Sequence, residues 1–510
     1  MSSSASTSQT GPRTYRGLNN REQTGWVLGV TPMQAFVCVV LAVPVLIALT
    51  AGDYRQALVW LGISGPLATL VVVPVRGRPA LRWLGDLLLF QLGVLSGWSV
   101  FQSRAATGTP GPAAEPDLPG VLTRLRFPDG PVFSDRGRIC LIHDTAEGRW
   151  GATAQLTHTG TGMLSAAECD QLAARLGSLL SSIGHREVVD RLSLYVRTVP
   201  DDGAEYQMWR ARHTRPGAPE LAHRATTELD ATIGSVSLRT ELFVCVSGSE
   251  DVLRRPAEAA GGGVNGRALA LYRALDGIED GLKPLGVRQV SWLTSAAMAS
   301  ALRTGYNPAT AAALAGERLA SHAEASRLPL AAAGPTLAPT PAARAYHHDG
   351  FTSVAFAVLM PENGLTFGAL GPLLAVRTAG ERRTLAIHYE VLSARASARA
   401  VQQQRFRTGI VREVKSSRGF ASTAVDQRAG AGARDQEYAV AAGAALVRFA
   451  VAASVTVPSS WPVEDHAARL ENDAAGRARL LRLELAQDSA FVAAVLPVGI
   501  GLPRQRGALP

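Results

Sequence analysis

Lysine is almost missing from this chain of 510 residues: Lys283 and Lys415 are the only two, and neither follows a glycine. That excludes the GxxxxGK[ST] phosphate loop, whose lysine brings positive charge to the β- and γ-phosphates. The chain alone is therefore not expected to bind or hydrolyse ATP, and no cofactor is expected. Cysteine is scarce as well. Cys38, Cys140, Cys169 and Cys245 show no CxxC spacing, so neither a zinc site nor a disulfide framework is implied, which suits a reducing compartment. HExxH and GxSxG are absent, removing two readable hydrolase signatures. The net charge of +9 is carried by arginines interspersed with acids, and no basic stripe with interleaved aromatics occurs. Direct nucleic-acid binding is not expected. Residues 1–12 are Ser/Thr-rich and lack the apolar core of a signal peptide.

Long uncharged runs are what the chain does have. Met33–Gly52 is 20 residues without a charge and Ala57–Val75 is 19. At about 1.5 Å per residue each matches a bilayer's hydrocarbon core. Asp53-Tyr54-Arg55-Gln56 between them is a neutral turn, and Pro44 and Pro66 are tolerable in membrane helices. Arg13, Arg16 and Arg21 precede the first run, and Arg76, Arg78 and Arg82 follow the second. Positive charge outside both ends predicts that both ends are cytoplasmic. A third apolar stretch, 83–101, places Leu84, Leu87, Leu88, Val94, Leu95, Trp98 and Phe101 on one helical face. It reads as an interfacial helix anchored by Trp83 and Trp98, with a third span as the rival.

The predicted organisation is a tail (1–25), a membrane hairpin (26–104, spans 33–52 and 57–75) with the interfacial helix, and a Pro/Gly/Ala linker (105–120). An α+β domain (121–327), a second linker (328–345) and a second α+β part (346–510) follow. Strands are expected at Arg138–His143, Gly151–His158, Val287–Trp292, Phe351–Met360, Arg383–Val391, Leu446–Val457 and Leu480–Leu485 from their alternation. Two further alternations place Leu192, Leu194 and Val196 on one side of a strand, and Leu238, Leu242, Val244 and Val246 on one side of another. Helices are expected after the Ser165/Glu168 capping box, near 219–233, at Thr294–Thr304, at Leu392–Gln404, near 463–475 and from Gln487. The fold class this predicts is membrane-anchored α+β: two transmembrane helices and a cytoplasmic two-layer part with ferredoxin-like, split βαβ elements.

The remaining motifs are weak. GGGVNG (261–266) fits GxGxxG, but no strand directly precedes it, and it reads as a flexible loop. His347-His348-Asp349 reads as a solvated loop rather than a metal site, because no further ligand lies at motif spacing. No residue is singled out as catalytic, cofactor-binding or metal-ligating.

Five stretches carry a resemblance: TYRGLNN (14–20), PVRGRPALRWL (74–84), RICLIHD (138–144), ALRTGYNP (301–308) and QDSAFVAAVLPVGIGL (487–502). With them the chain resembles actinobacterial membrane proteins of type IV secretion-like, conjugative systems. Its start is similar to PrgI-type two-helix membrane proteins, and its remainder to the N-terminal, non-motor part of the traffic ATPase. EccE of type VII secretion is a second resemblance in layout, and a membrane-anchored enzyme with an unrecognised site is a third reading. The first resemblance implies a structural component of the inner membrane with its soluble part in the cytoplasm. Its implied partners are a separate motor ATPase, other membrane proteins of the apparatus, the bilayer and further copies of itself. The apolar stretch Val492–Leu502 would meet the motor around Phe491, Leu496 and Leu502, unless these residues fold back onto the chain's own last strands.

Overall fold

The computed structural model describes residues 14–15, 32–72, 74–75, 78–109, 111–133, 136–162, 164–186, 188–200, 209–210, 212–215, 217–233, 238–321, 327–339, 342–361, 364–402, 432, 434 and 436–502. Residues 1–12, Arg13, Arg16, Arg21, Arg76 and the end of the expected helix 392–404 lie outside them.

Two helices, α1 (Pro32–Thr50) and α2 (Tyr54–Val72), form an antiparallel hairpin. Gly52 takes the left-handed conformation the turn needs (φ 77°), and the Asp53 carboxylate accepts the Gln56 N–H to cap α2. Gln34 Nε2 donates to the Val71 carbonyl at 2.6 Å and fastens the open end. A third helix, α3 (Ala80–Ser96), packs on α2. Gly97 (φ 68°) ends it, so Phe101, expected on its apolar face, instead pairs in extended conformation with Ala338. Among the described residues only α2 is by itself long and apolar enough to cross a membrane, and only 17% of its apolar window is buried. The apolar parts of α1 and α3 are shorter, Phe36–Thr50 and Trp83–Ser96. Both chain ends of this helical region return to the rest of the protein: Thr14–Tyr15 pairs with Leu365–Thr366, and Phe101–Gln102 pairs with Leu337–Ala338.

The rest is mixed α+β around one large antiparallel sheet. Its strands are β1 (Leu125–Arg126), β2 (Asp129–Val132), β3 (Arg138–Asp144), β4 (Arg149–His158), β5 (Arg191–Pro200) and β6 (Leu238–Ser249). Then come β7 (Val287–Trp292), β8 (Tyr346–His348), β9 (Phe351–Leu359), β10 (Arg382–Val391), β11 (Val447–Pro458) and β12 (Arg479–Arg482). The order is β8-β9-β11-β10-β5-β6-β4-β3-β1, with β12 also on β9, β7 also on β4 and β2 also on β3. Among the helices of the described residues that accompany it are α4 (Ala166–Arg186), α5 (Glu220–Ile233), α6 (Glu250–Ala259), α7 (Gly263–Leu282), α8 (Ser295–Tyr306), α9 (Thr310–Ser321), α10 (Val463–Ala474) and α11 (Gln487–Val495).

Three expectations are corrected here. First, the sheet is covered on both faces, giving three layers rather than two. On one face Leu192, Val244 and Val246 meet Leu180 and Ile183 of α4 and Leu271 and Leu275 of α7, while Val354, Val455 and Val457 meet Leu470 of α10. On the other face Tyr195, Phe243, Cys245 and Ala386 lie under Met298 and Leu302 of α8 and Phe491 and Val495 of α11. Second, the two expected α+β parts share the sheet: Leu385 of β10 pairs with Val196 of β5 on one side and Ala453 of β11 on the other. Third, the two expected linkers are packed in part, while residues 105–109 and 112–115 are exposed. Leu118, Leu330, Ala333 and Ala338 belong to the core beneath α8 and α11, and the Ala331 N–H donates to the Ala113 carbonyl. Small residues let these segments fill narrow space, so a Pro/Gly/Ala-rich composition did not mean a free tether.

Candidate functional site

The pleat that turns Leu192 and Val196 to one face turns Ser193, Tyr195 and Arg197 to the other. The same alternation puts Arg382 and His388 of β10, Ser353 of β9 and Ser454 and Thr456 of β11 on that face, and all are buried. Their hydrogen bonds run to the helices above. Arg197 donates from Nε and Nη2 to the Val495 carbonyl (2.9 and 2.6 Å) at the end of α11, and from Nη1 to Ala301 (3.2 Å) in α8. Arg382 donates to Thr304 (2.6 Å) and Gly305 (2.5 Å) at the end of α8. Helix C-termini carry unpaired carbonyls and the negative end of the helix dipole, so two buried cations find acceptors there. Glu241 lies 3.7 Å from Arg197. Burial, with Arg197 beside it, lowers the Arg382 guanidinium to about 9, which leaves it charged at neutral pH.

Two imidazole–hydroxyl pairs share this face. His348 meets the Tyr306 carbonyl through Nδ1 (2.5 Å) and Ser353 Oγ through Nε2 (2.8 Å). His388 meets the Ala493 carbonyl through Nε2 (3.0 Å) and Ser193 Oγ through Nδ1 (2.9 Å). A carbonyl only accepts, so each ring donates to its helix and accepts from its serine. Seen alone these resemble activated serines. Both rings are about 1% exposed, and the carbonyls they hold are structural, so no substrate reaches either hydroxyl. Burial lowers His348 to about 3, with the nearby Arg382 adding to it, and lowers His388 to about 4.

A pH dependence follows. Both rings bind protons less readily in the folded chain than at their usual 6.5, so unfolding takes up protons as the pH falls below that value. Their contribution is complete above about pH 6.5 and is lost on acidification toward 4 and then 3. Together the two sites give a slope of up to about 2.7 kcal/mol per pH unit. His348→Asn and His388→Gln keep the donor aimed at each helix and remove the titration. Urea unfolding of the full chain in detergent at pH 7, 6 and 5 is expected to show a shallower acid loss for the double variant. An unchanged pH slope would refute the neutral-ring assignment.

An accessible concavity of the described residues lies elsewhere, at the opposite rim. A cleft of about 200 Å³ is lined by Arg124, Asp144, Glu147, Arg149 and Arg191, and roofed by Val498–Leu502. Its charges compensate one another: Arg124 pairs with Asp144 (3.0 Å) and Glu147, Arg191 with Glu147 (2.7 Å) and Glu390, and Arg149 with Asp190. Cys245 in its floor is raised to about 12 by burial, so it stays a thiol. Among the described residues no group of three His, Cys, Asp or Glu is placed to hold a metal ion.

The residues singled out for docking are not brought together on a surface. Phe491 and Leu496 are fully buried, against Tyr306, Tyr346 and His348 for Phe491, and within the same core for Leu496; they fold back onto the chain itself. Leu502 lines the cleft. Trp83 is half-buried at the start of α3, and Trp98 is 70% exposed with its ring edge over Gly93, where a side chain would collide. His347-His348-Asp349, expected as a solvated loop, forms β8 and the turn after it: His348 is buried and Asp349 pairs with Arg303 at 2.7 Å. GGGVNG is the corner between α6 and α7, with Gly261, Gly262 and Gly263 at positive φ and a helix rather than a strand before it. Sequence reasoning missed Arg197, Arg382 and His388. The available signal was a charged or imidazole side chain recurring on the second face of otherwise apolar strands. No family model and no curated protein matches the chain.

Proposed function

We propose that this chain is a non-catalytic, membrane-anchored structural component of a bacterial secretion or conjugative transfer apparatus. In this reading α1 and α2 cross the inner membrane, α3 lies on its inner surface, and the sheet body is a cytoplasmic docking platform for a motor ATPase and other membrane proteins of the apparatus. The observation that carries it is the apolar surface left uncovered on α1–α3. Phe36, Val39 and Ile47 on α1, Leu58, Val59 and Leu61 on α2, and Leu88, Leu89 and Leu95 on α3 are each more than half exposed. A surface of that extent requires a cover, and a bilayer supplies one. The return of both ends of the helical region to the body supports an even number of crossings, since three would put Thr14–Tyr15 and Leu365–Thr366 on opposite sides. The sealed imidazole–hydroxyl pairs and the self-compensated cleft support a role without chemistry. Docking, in this reading, uses the body's outer surface and not Phe491 or Leu496.

The test is cysteine labelling in intact cells. A cysteine at Asp53 is expected to react with an impermeant reagent from outside, and one at Glu220 only after permeabilisation. Reaction at position 220 in intact cells would replace this topology with three spans.

A further inference from the structure

Between α3 and the sheet body the chain is braced along its path. The turn after α3 folds back on its own helix. The Ser99 hydroxyl donates to the Gly93 carbonyl at 3.3 Å, the Val100 N–H donates to the Gly97 carbonyl at 3.2 Å, and the Trp98 ring lies where a side chain at position 93 would stand. Phe101–Gln102 then pairs with Leu337–Ala338, and the Ser103 N–H donates to the Thr336 carbonyl at 3.0 Å.

The segment that receives this pairing is gripped by one side chain. Asp349 and Gly350 make the two-residue turn between β8 and β9, both at positive φ (45° and 80°), the conformation that favours Asp-Gly. The buried Asp349 carboxylate accepts the Thr336 N–H (2.7 Å) and the Leu337 N–H (3.1 Å) through Oδ1, and pairs with Arg303 (2.7 Å) through Oδ2. Arg303, in the last turn of α8, also donates to the Gly334 carbonyl (2.6 Å) and the Thr336 hydroxyl (3.3 Å). The next three residues of α8 are those held from the sheet: Arg382 bonds Thr304 and Gly305, and His348 bonds Tyr306. Bonds to an ionised partner are shorter and stronger than neutral ones, so this is the firmest part of the connection.

We infer that the Asp349–Arg303 pair is a positioning joint: it locks the strand that receives Gln102 onto the end of α8 and so fixes the angle of the α1–α3 helices to the sheet. Opening the joint leaves the helices attached through Phe101–Gln102 and Thr14–Tyr15, two short backbone pairings about which the body turns. In the reading proposed above the helices are membrane-bound, and the joint then presents the docking surface at one tilt to the bilayer. The joint itself belongs to the chain and holds with or without that reading.

The experiment measures distances between paired spin labels on the full chain in detergent, in a Cys38→Ala, Cys169→Ser background. One pair, Tyr54→Cys with Ser460→Cys, spans the joint from an exposed site at the start of α2 to an exposed site after β11. A second, Ser460→Cys with Gln289→Cys, joins two exposed sites within the body. Without further substitution both pairs are expected to give narrow distance distributions. Asp349→Gly keeps the left-handed turn and removes the carboxylate, and Arg303→Met removes the guanidinium. A hydrogen bond to a charged group is worth about tenfold or more, so losing two raises the opened population on the order of a hundredfold. Each variant is expected to broaden the first distribution and leave the second narrow. A first distribution that stays narrow in both variants, or that is broad before either substitution, overturns the joint. Broadening of both pairs together overturns it too, since the loss then lies in the fold of the body. Labelling at position 53 tests the anchoring separately, and its failure leaves these distances unchanged.

Discussion

Arg197→Met is expected to destabilise the folded chain by about 3–5 kcal/mol, the range for breaking a buried charged network on one side. Methionine nearly fills the space, so little of this comes from a cavity. The cost lies in what is left behind. The Val495 carbonyl loses both of its Arg197 donors, the Ala301 carbonyl loses one donor but keeps the Thr304 hydroxyl, and Glu241 keeps Arg239 at 2.7 Å but loses its buried partner. Arg382→Met removes two bonds to the end of α8, yet it also relieves the repulsion between two adjacent guanidiniums. Its cost is expected to be smaller, about 1–3 kcal/mol, the desolvation cost of unpaired carbonyls. Urea unfolding of the full chain in detergent, followed by far-ultraviolet circular dichroism, ranks the two. An Arg197→Met variant within about 1 kcal/mol of the parent, on the order of one ordinary hydrogen bond, would refute a stabilising role for the Arg197 bonds to α8 and α11.

That ordering depends on a feature the sequence showed only by halves. Local elements were legible because local physics sets them. The Ser165/Glu168 capping box forms, with the Ser165 N–H donating to Glu168 Oε2 at 2.7 Å, and the alternation at Val287–Trp292 and Phe351–Leu359 gives strands there. Alternating apolar and polar residues ordinarily mean one buried face and one wet one, which led to the two-layer expectation. Here the polar positions are dry, because α8 and α11 bring carbonyls to them. Only pairing between distant segments shows that: β5 meets β10 across nearly two hundred residues, and no periodicity encodes it. The linkers failed for a related reason. Alanine and proline tracts lack a periodic signal whether they are free or packed, and Ala333 and Ala338 are packed. At the candidate site, the charged positions in RLSLYVRTV and RRTLAIHYEV were readable as anomalies in apolar strands, but their partners were not.

Removing α11 is expected to unfold the body. The helix carries Phe491, Val492, Val495 and the adjoining Leu496 into the core, with exposures of 0–3%. Phe491 alone packs against three rings, with centroids 5.3 Å from Tyr306, 5.3 Å from Tyr346 and 4.5 Å from His348. Phe491→Ala is expected to cost about 3–5 kcal/mol through lost burial and the cavity it leaves. Truncation before Gln487 does more. It removes the Gln487 side chain that bonds both polar groups of the Ala355 backbone, at 2.8 and 3.1 Å. It also takes away the carbonyl acceptors of Arg197 and His388 and opens the polar face to water. The truncated chain is expected to lose its near-ultraviolet circular dichroism and to be digested by trypsin at sites the full chain protects. Any loss of partner capture in that variant would then report unfolding and not a missing docking surface. A truncated chain that kept its native spectrum while losing a motor ATPase would reverse this reasoning and return the partner to the surface formed by Phe491 and Leu496.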